Sequence, residues 1–271
     1  MSTDSHNPHR LILRGKEAVL ACIKLHPKSL REIHASAKFV AELSPHIIEL
    51  ESQGVKFRTS SPEDMSHLCQ TLCQDMCAIT QRPDPAHVRV ADFAEWREKR
   101  ETVVIADHVS DPHQLAAIAR AMRAFGLQRL LLSSGSEKIL FDPEVWFLAQ
   151  GAMESIRPMR AAALGGLLKL VKDKCCVVGV SPNLGRKIDL GTPVRVPGRH
   201  LALLLTPREV DSDLQPRIEH LYRYPGLSDS SGLNLADVAP VAMAWIASTP
   251  KPRSDGFMAR KKARHLKSKN P

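Results

Sequence analysis

Three stretches of this 271-residue sequence carry residue types and spacings that could do chemistry. The first is DHVSDPHQLAAIARAMRAFG, residues 107–126. An acid, Asp107, closes an apolar run, a Ser-Asp-Pro turn follows, and Arg120 stands among alanines in an amphipathic pattern. Arg120 is either a site residue or a solvated arginine like Arg123 and Arg129, and helical periodicity does not separate the two. The second is Cys69, Cys73 and Cys77, whose spacing would put three thiols on one helical face. Three thiolates can ligate a metal, but structural zinc takes a fourth ligand and usually CxxC spacing. They are therefore read as small buried apolar side chains, and no metal site is expected. The third is GVSPNLGRK, residues 179–187. A phosphate-cradling loop needs four residues between its glycines, then Lys and Ser/Thr. Here five intervene and Arg186 follows, so a surface loop is expected. No GxGxxG and no GxSxG occurs, which removes the dinucleotide fingerprint and the nucleophile elbow.

The elements that must position these residues are legible from period and punctuation. RGKEAVLACIK reads as a helix stopped near Pro27, with a strand at Leu30–Ala35. Further helix runs to a Gly54 stop, and a strand starts at Val55. Ser61-Pro62-Glu63-Asp64 is a strong helix start: a cap, a proline at the first helical position, then acids at the positive end of the dipole. Residues 81–101, with two prolines and charges of both signs, are read as a linker. Beyond it TVVIAD, a turn, the helix HQLAAIARAMRAF with its Gly126 stop, and LQRLLLSS make a βαβ unit, hence parallel sheet. A short helix near 143–150, a strand near 155–160, a helix at about 161–173, the strands CCVVGV and HLALLLT, and the helix NLADVAPVAMAWIAS complete the pattern. Asn234 could cap that last helix and Pro240 should kink it. The fold class is α/β in two units: residues 13–80 and 102–249, with a disordered N-terminus at 1–12 and a disordered basic tail at 250–271.

Composition narrows the partners. Hydrophobic content of 43% and charged content of 25% are those of a globular protein. No apolar run spans a bilayer, and the polar start MSTDSHNPHR has no apolar core, so neither a membrane partner nor a signal peptide is expected. Six cysteines without a CxxC pair suit reduced thiols in a cytoplasmic protein. Of the formal net charge of +9, the segment 251–271 holds eight Lys/Arg against one Asp, which leaves about +2 on the rest. A basic tail on a nearly neutral body suits a polyanion, most simply RNA. With aromatics at 4%, an aromatic base-stacking platform is a poor expectation.

The segment 107–126 resembles the first motif of the SpoU (TrmH-like) RNA 2′-O-ribose methyltransferases of the SPOUT class. That motif reads roughly D-x-x-x-D-P-x-N-x-G-x-x-x-R-x-x-x-x-x-G. Asp107, Asp111, Pro112, Arg120 and Gly126 fall in register, while Gln114 replaces the asparagine and Ala116 the glycine. YPGLSDSSGLNLADVA, residues 224–239, is similar to the third motif and keeps Leu233 and Asn234, with Gly232 and Ala236 in place of serines. AQGAMES at 149–155 is similar to the family's S-A-G-A-x-E, and Cys73–Ala78 lies where relatives have His-Gln-Gly. The N-terminal unit resembles the L30e-like substrate-binding domain that often precedes the knot. The second motif departs: LLTPREVDSDLQP aligns only at Leu214 and Pro216, with Glu209 one position out and the glycines gone.

The resemblance implies a parallel-sheet SPOUT domain with a C-terminal trefoil knot, a homodimer, and methyl transfer from S-adenosylmethionine to tRNA or rRNA. It implies Arg120, assisted by Gln114 and Asn234, at the catalytic step, and Tyr224, Gly226, Leu233 and Glu209 at the cofactor. A ribose 2′-hydroxyl is a poor nucleophile near neutral pH, so the step needs in-line geometry and help with the proton. A guanidinium could hold a phosphate bidentately and stabilise developing oxyanion charge. In the family the glycines of the second motif let the backbone approach the cofactor closely. Their absence supports a second reading, a SpoU-fold RNA-binding protein that has lost catalysis.

Overall fold

The computed structural model describes residues 9–191, 200–206, 209–224 and 233–248. In chain order the first part forms β1 (His9–Arg14), α1 (Lys16–Leu25), β2 (Leu30–Ala35), α2 (Ala37–Ser52), β3 (Lys56–Thr59), α3 (Pro62–Cys69), β4 (Met76–Arg82), β5 (Ala86–His87) and α4 (Val90–Lys99). The second part forms β6 (Val103–Ala106), α5 (Pro112–Ala124), β7 (Arg129–Ser133), α6 (Pro143–Leu148), β8 (Arg157–Ala161), α7 (Leu164–Leu170), β9 (Cys175–Ser181), β10 (Arg186–Lys187), β11 (His200–Leu205), β12 (His220–Arg223) and α8 (Leu235–Ser248). No described helix is long and apolar enough to cross a membrane.

Continuous apolar runs dictate a sheet covered on both faces, because successive side chains on a strand point to opposite sides. Val103 and Ile105 of β6, Leu131 of β7, Val177 of β9 and Leu204 of β11 pack with Phe93 and Trp96 of α4 and Leu164 and Leu168 of α7. Val104, Leu130, Leu132, Val178 and Leu203 point the other way, onto α5 and α8. The eight strands run in the order β10-β12-β9-β11-β6-β7-β8-β5, and every neighbouring pair is parallel. From β6 the chain moves outward through β7 and β8, then returns to build the other side. The strand order therefore reverses between β6 and β11, while the strands themselves stay parallel.

The smaller sheet has the order β1-β4-β2-β3, antiparallel except for β2 and β3. Ser61 caps α3 by accepting from the Asp64 amide at 3.1 Å, as the start signal predicts. One continuous apolar core runs from Leu11, Leu13 and Ile33 to Leu115, Ile118 and Met153, joining this sheet to the α5–α6 side of the larger one. Gly151, at φ 77°, sits so close to α1 that a Cβ there would lie 2.7 Å from the Glu17 carbonyl and 2.8 Å from Ala21 Cβ. Ion pairs Arg82–Glu154 and Arg14–Glu144 cross the same junction. The Arg82 guanidinium also stacks 4.6 Å from the Trp146 ring and that of Arg14 3.7 Å from the Phe147 ring.

Several expectations need correction. Residues 9–12, expected without structure, belong to β1, an edge strand whose alternation Leu11–Leu13 is short and bracketed by charges. The stretch 81–101 is not a bare linker. Its β5 pairs with β8, and its α4 buries Phe93 and Trp96, each worth about 2 kcal/mol of transfer. The helix expected through Cys73 and Cys77 ends at Cys69, where Gln70 turns left-handed.

Glu154 is wholly buried and its partner Arg82 nearly so. Breaking such a pair leaves an uncompensated charge, so Glu154→Ala is expected to cost about 3 kcal/mol. Urea unfolding of the variant checks this; a loss below about 0.5 kcal/mol would contradict the role given to the pair.

Candidate active site at the carboxyl edge of the parallel sheet

In an open parallel sheet the crevice lies outside the carboxyl ends of the strands, where the strand order reverses. Here that point is flanked by Asp107, which follows β6, and Thr206, which follows β11. The two strand ends are tied together, since the Asp107 amide donates to the Leu205 carbonyl at 3.0 Å and the Thr206 amide to Val180 at 3.2 Å. Asp107 is 1% exposed, and among the described residues its Oδ2 has no hydrogen-bond partner. Burial raises its pKa above the ordinary carboxyl value.

His108 follows at φ 50°, a conformation rare for a residue with a Cβ. Gln70, Arg100 and Gln150 share it, but each ends a helix, whereas His108 stands between a strand and a turn. The Ser133 hydroxyl at the end of β7 accepts from the His108 amide at 2.9 Å. The ring Nε2 lies 2.9 Å from Asp211 Oδ2 and 3.8 Å from Asp107 Oδ1. An imidazole between two carboxylates thus ties the loop after β6 to the loop after β11. Such a group can pass a proton or hold a cationic ligand.

The predicted site residues distribute unevenly. Gln114 is half-buried in the first turn of α5, beside the crevice. Glu209 is exposed in the loop after β11, and its carbonyl accepts from Thr206 Oγ1 at 3.4 Å. Tyr224 directly follows β12 and is half-buried against the core. Leu233 and Asn234 lead into α8, with the Asn234 side chain accepting from the Ala236 amide at 2.7 Å as the expected cap. Gly226 and the basic tail lie outside the described residues.

Arg120 stands apart. It is eight residues into α5, about 12 Å along the axis from Pro112. It is exposed and donates to the Leu148 carbonyl at 3.1 Å, while Arg123 donates to Gln150 at 3.4 Å. Both cations sit at the carboxyl end of α6, which its dipole favours. Within one chain, then, Arg120 faces outward on the α5–α6 flank and does not join the crevice residues.

Sequence reasoning missed His108 and Asp211. They lie 103 residues apart, and neither has a local signature. The glycines of 179–187 find their use here too. Gly185, at φ 90°, lies against the Leu221 carbonyl, so any Cβ would collide with β12. The loop packs β12 onto the end of β9.

Residues 101–243 match the model of the SpoU rRNA Methylase family, and the chain belongs to that family. Solved structures of similar fold include an rRNA methyltransferase from Sinorhizobium meliloti (TM-score 0.65, 19% identity, covering 87% of this chain and 86% of that one). Another is the SpoU methyltransferase AviRb from Streptomyces viridochromogenes in complex with the cofactor AdoMet (0.64, 16%, 88% and 89%). A third is an RNA 2′-O ribose methyltransferase (0.61, 14%, 87% and 87%). No curated protein matches the sequence closely enough to count as a relative.

The hydrogen bond to Asp211 raises the His108 pKa above its ordinary 6.5. The stabilisation from this contact is therefore full below the unfolded value and fades as pH rises through the raised one. Nuclear magnetic resonance titration of the ring protons should find His108 above 6.5, and Asp211→Asn should bring it down. An unchanged value in the variant would show that the contact does not form in solution.

Proposed function

We propose that the chain transfers a methyl group from S-adenosylmethionine to a ribose 2′-hydroxyl of tRNA or rRNA, acting as a homodimer whose C-terminal parallel sheet carries the family's trefoil knot. In this reading the N-terminal unit, with its L30e-like sequence, and the basic tail engage the RNA. The observation that carries it is the family match over 101–243, whose motif segments begin at the crevice between β6 and β11.

The donor set suits the cofactor. The molecule is cationic at its sulfonium and amino groups, and the edge presents Glu209, Asp211 and the Oδ2 of buried Asp107, which has no partner among the described residues. Tyr224 and Leu233 with Gly226 would hold it, and Glu209 would face its charge. S-adenosylmethionine supplies an electrophilic methyl group activated by positive sulfur. The chain's task is to place the hydroxyl in line and take up its proton. His108, held by Asp211, is one acceptor at the edge, and Gln114 and Asn234 can orient the ribose. Arg120 would leave the Leu148 carbonyl for an RNA phosphate, a charged and bidentate partner.

The glycine-free loop 206–216 favours a second reading, a member of the family that binds RNA without catalysis. Incubation of the full-length protein with labelled S-adenosylmethionine and unmodified tRNA and rRNA transcripts separates the two. The first reading predicts label at a ribose 2′-oxygen, reduced about 100-fold by Arg120→Ala. RNA retained by the protein with no label transferred would overturn it in favour of the second.

A further inference from the structure

The three cysteines expected to line one helical face come together by another route. Cys69 is the last residue of α3, Cys73 lies in the following loop, and Cys77 is in β4. Their Sγ atoms all lie within 4.8 Å of one another. Cys77 is fixed by pairing with Arg14 of β1 on one side and His34 of β2 on the other. The Cys73 loop is clipped to α3: the Cys73 amide donates to Ser66 Oγ at 3.0 Å, and the Thr71 amide to the Ser66 carbonyl at 3.2 Å. Cys73 and Cys77 are buried, whereas Cys69 is half-buried beside a cleft lined by Arg14, Gln70, Thr71, Asp142 and Glu144.

We propose that Cys69, Cys73 and Cys77 form a three-thiolate site for Zn²⁺, with its fourth position open to this cleft. At a Zn–S distance of about 2.3 Å, tetrahedral ligands sit about 3.8 Å apart, so the present triangle needs to contract only slightly. A cation lies close to the triangle. The Arg14 guanidinium, one-tenth exposed, donates to the Leu72 carbonyl at 3.3 Å within the same loop. Three thiolates around Zn²⁺ carry a net single negative charge, which that cation offsets. Among the described residues no imidazole or carboxylate joins the triangle, so the fourth ligand is water or an exogenous donor. Bound zinc would lock α3 and the 70–75 loop onto the smaller sheet.

The test uses the reduced full-length protein, free of any affinity tag, titrated with Co²⁺ and then with Zn²⁺. A sulfur-to-cobalt charge-transfer band should saturate at one ion per chain and be displaced by Zn²⁺. Cys69→Ser, at the half-exposed corner, should unfold as cooperatively as the parent yet bind Zn²⁺ about 100-fold more weakly. Cys22→Ser, which alters a thiol outside the triangle, should bind as the parent does. No charge-transfer band, a band unchanged in Cys69→Ser, or equal loss in Cys22→Ser would each overturn the proposal.

Discussion

The structure depends on the pairing of β6 with β11. The chain leaves β6 in one direction and builds β7 and β8, and only after crossing back does it insert β11 between β6 and β9. Backbone hydrogen bonds then hold together two strands almost a hundred residues apart, and their loops part above the seam. Everything assigned to the crevice follows from that divergence. Asp107 and His108 come from one side of it, Thr206, Glu209 and Asp211 from the other. The left-handed turn at His108 is where the backbone strain falls, and the Ser133 and Asp211 contacts hold it there.

The smaller sheet is not a loosely tethered appendage. Its helix α1 lies against Gly151, where a side chain would not fit, and its strands send Arg14 and Arg82 across to carboxylates and aromatic rings of the α6 region. Arg120 and Arg123 reach the same region from α5. The segment 144–154 therefore joins three elements. A ligand that draws Arg120 away from Leu148 would act at the place where the two sheets meet.

Much of this was legible where local chemistry decides the outcome. The strand at Leu30–Ala35, the Ser61 and Asn234 caps and the βαβ alternation depend on residues within a few positions of one another. The misses share a cause: tertiary contacts outweigh local signals. Prolines and charges made 81–101 read as a linker, yet two aromatic side chains were enough to pin α4 to the sheet. Helical spacing placed the cysteines on one face, but α3 stops at Cys69 and a loop and a strand bring the thiols together instead. His108 and Asp211 meet only through the strand order, which no short-range pattern encodes. Arg120 was visible as a motif residue, but its outward position on the α5–α6 flank was not.

On this reading the crevice between β6 and β11 accepts S-adenosylmethionine although the loop after β11 has no glycine. The deciding experiment is calorimetric titration of the full-length protein with that ligand, with and without RNA. A saturable heat with a micromolar dissociation constant is expected. No heat at millimolar ligand, in both conditions, would rule the pocket out.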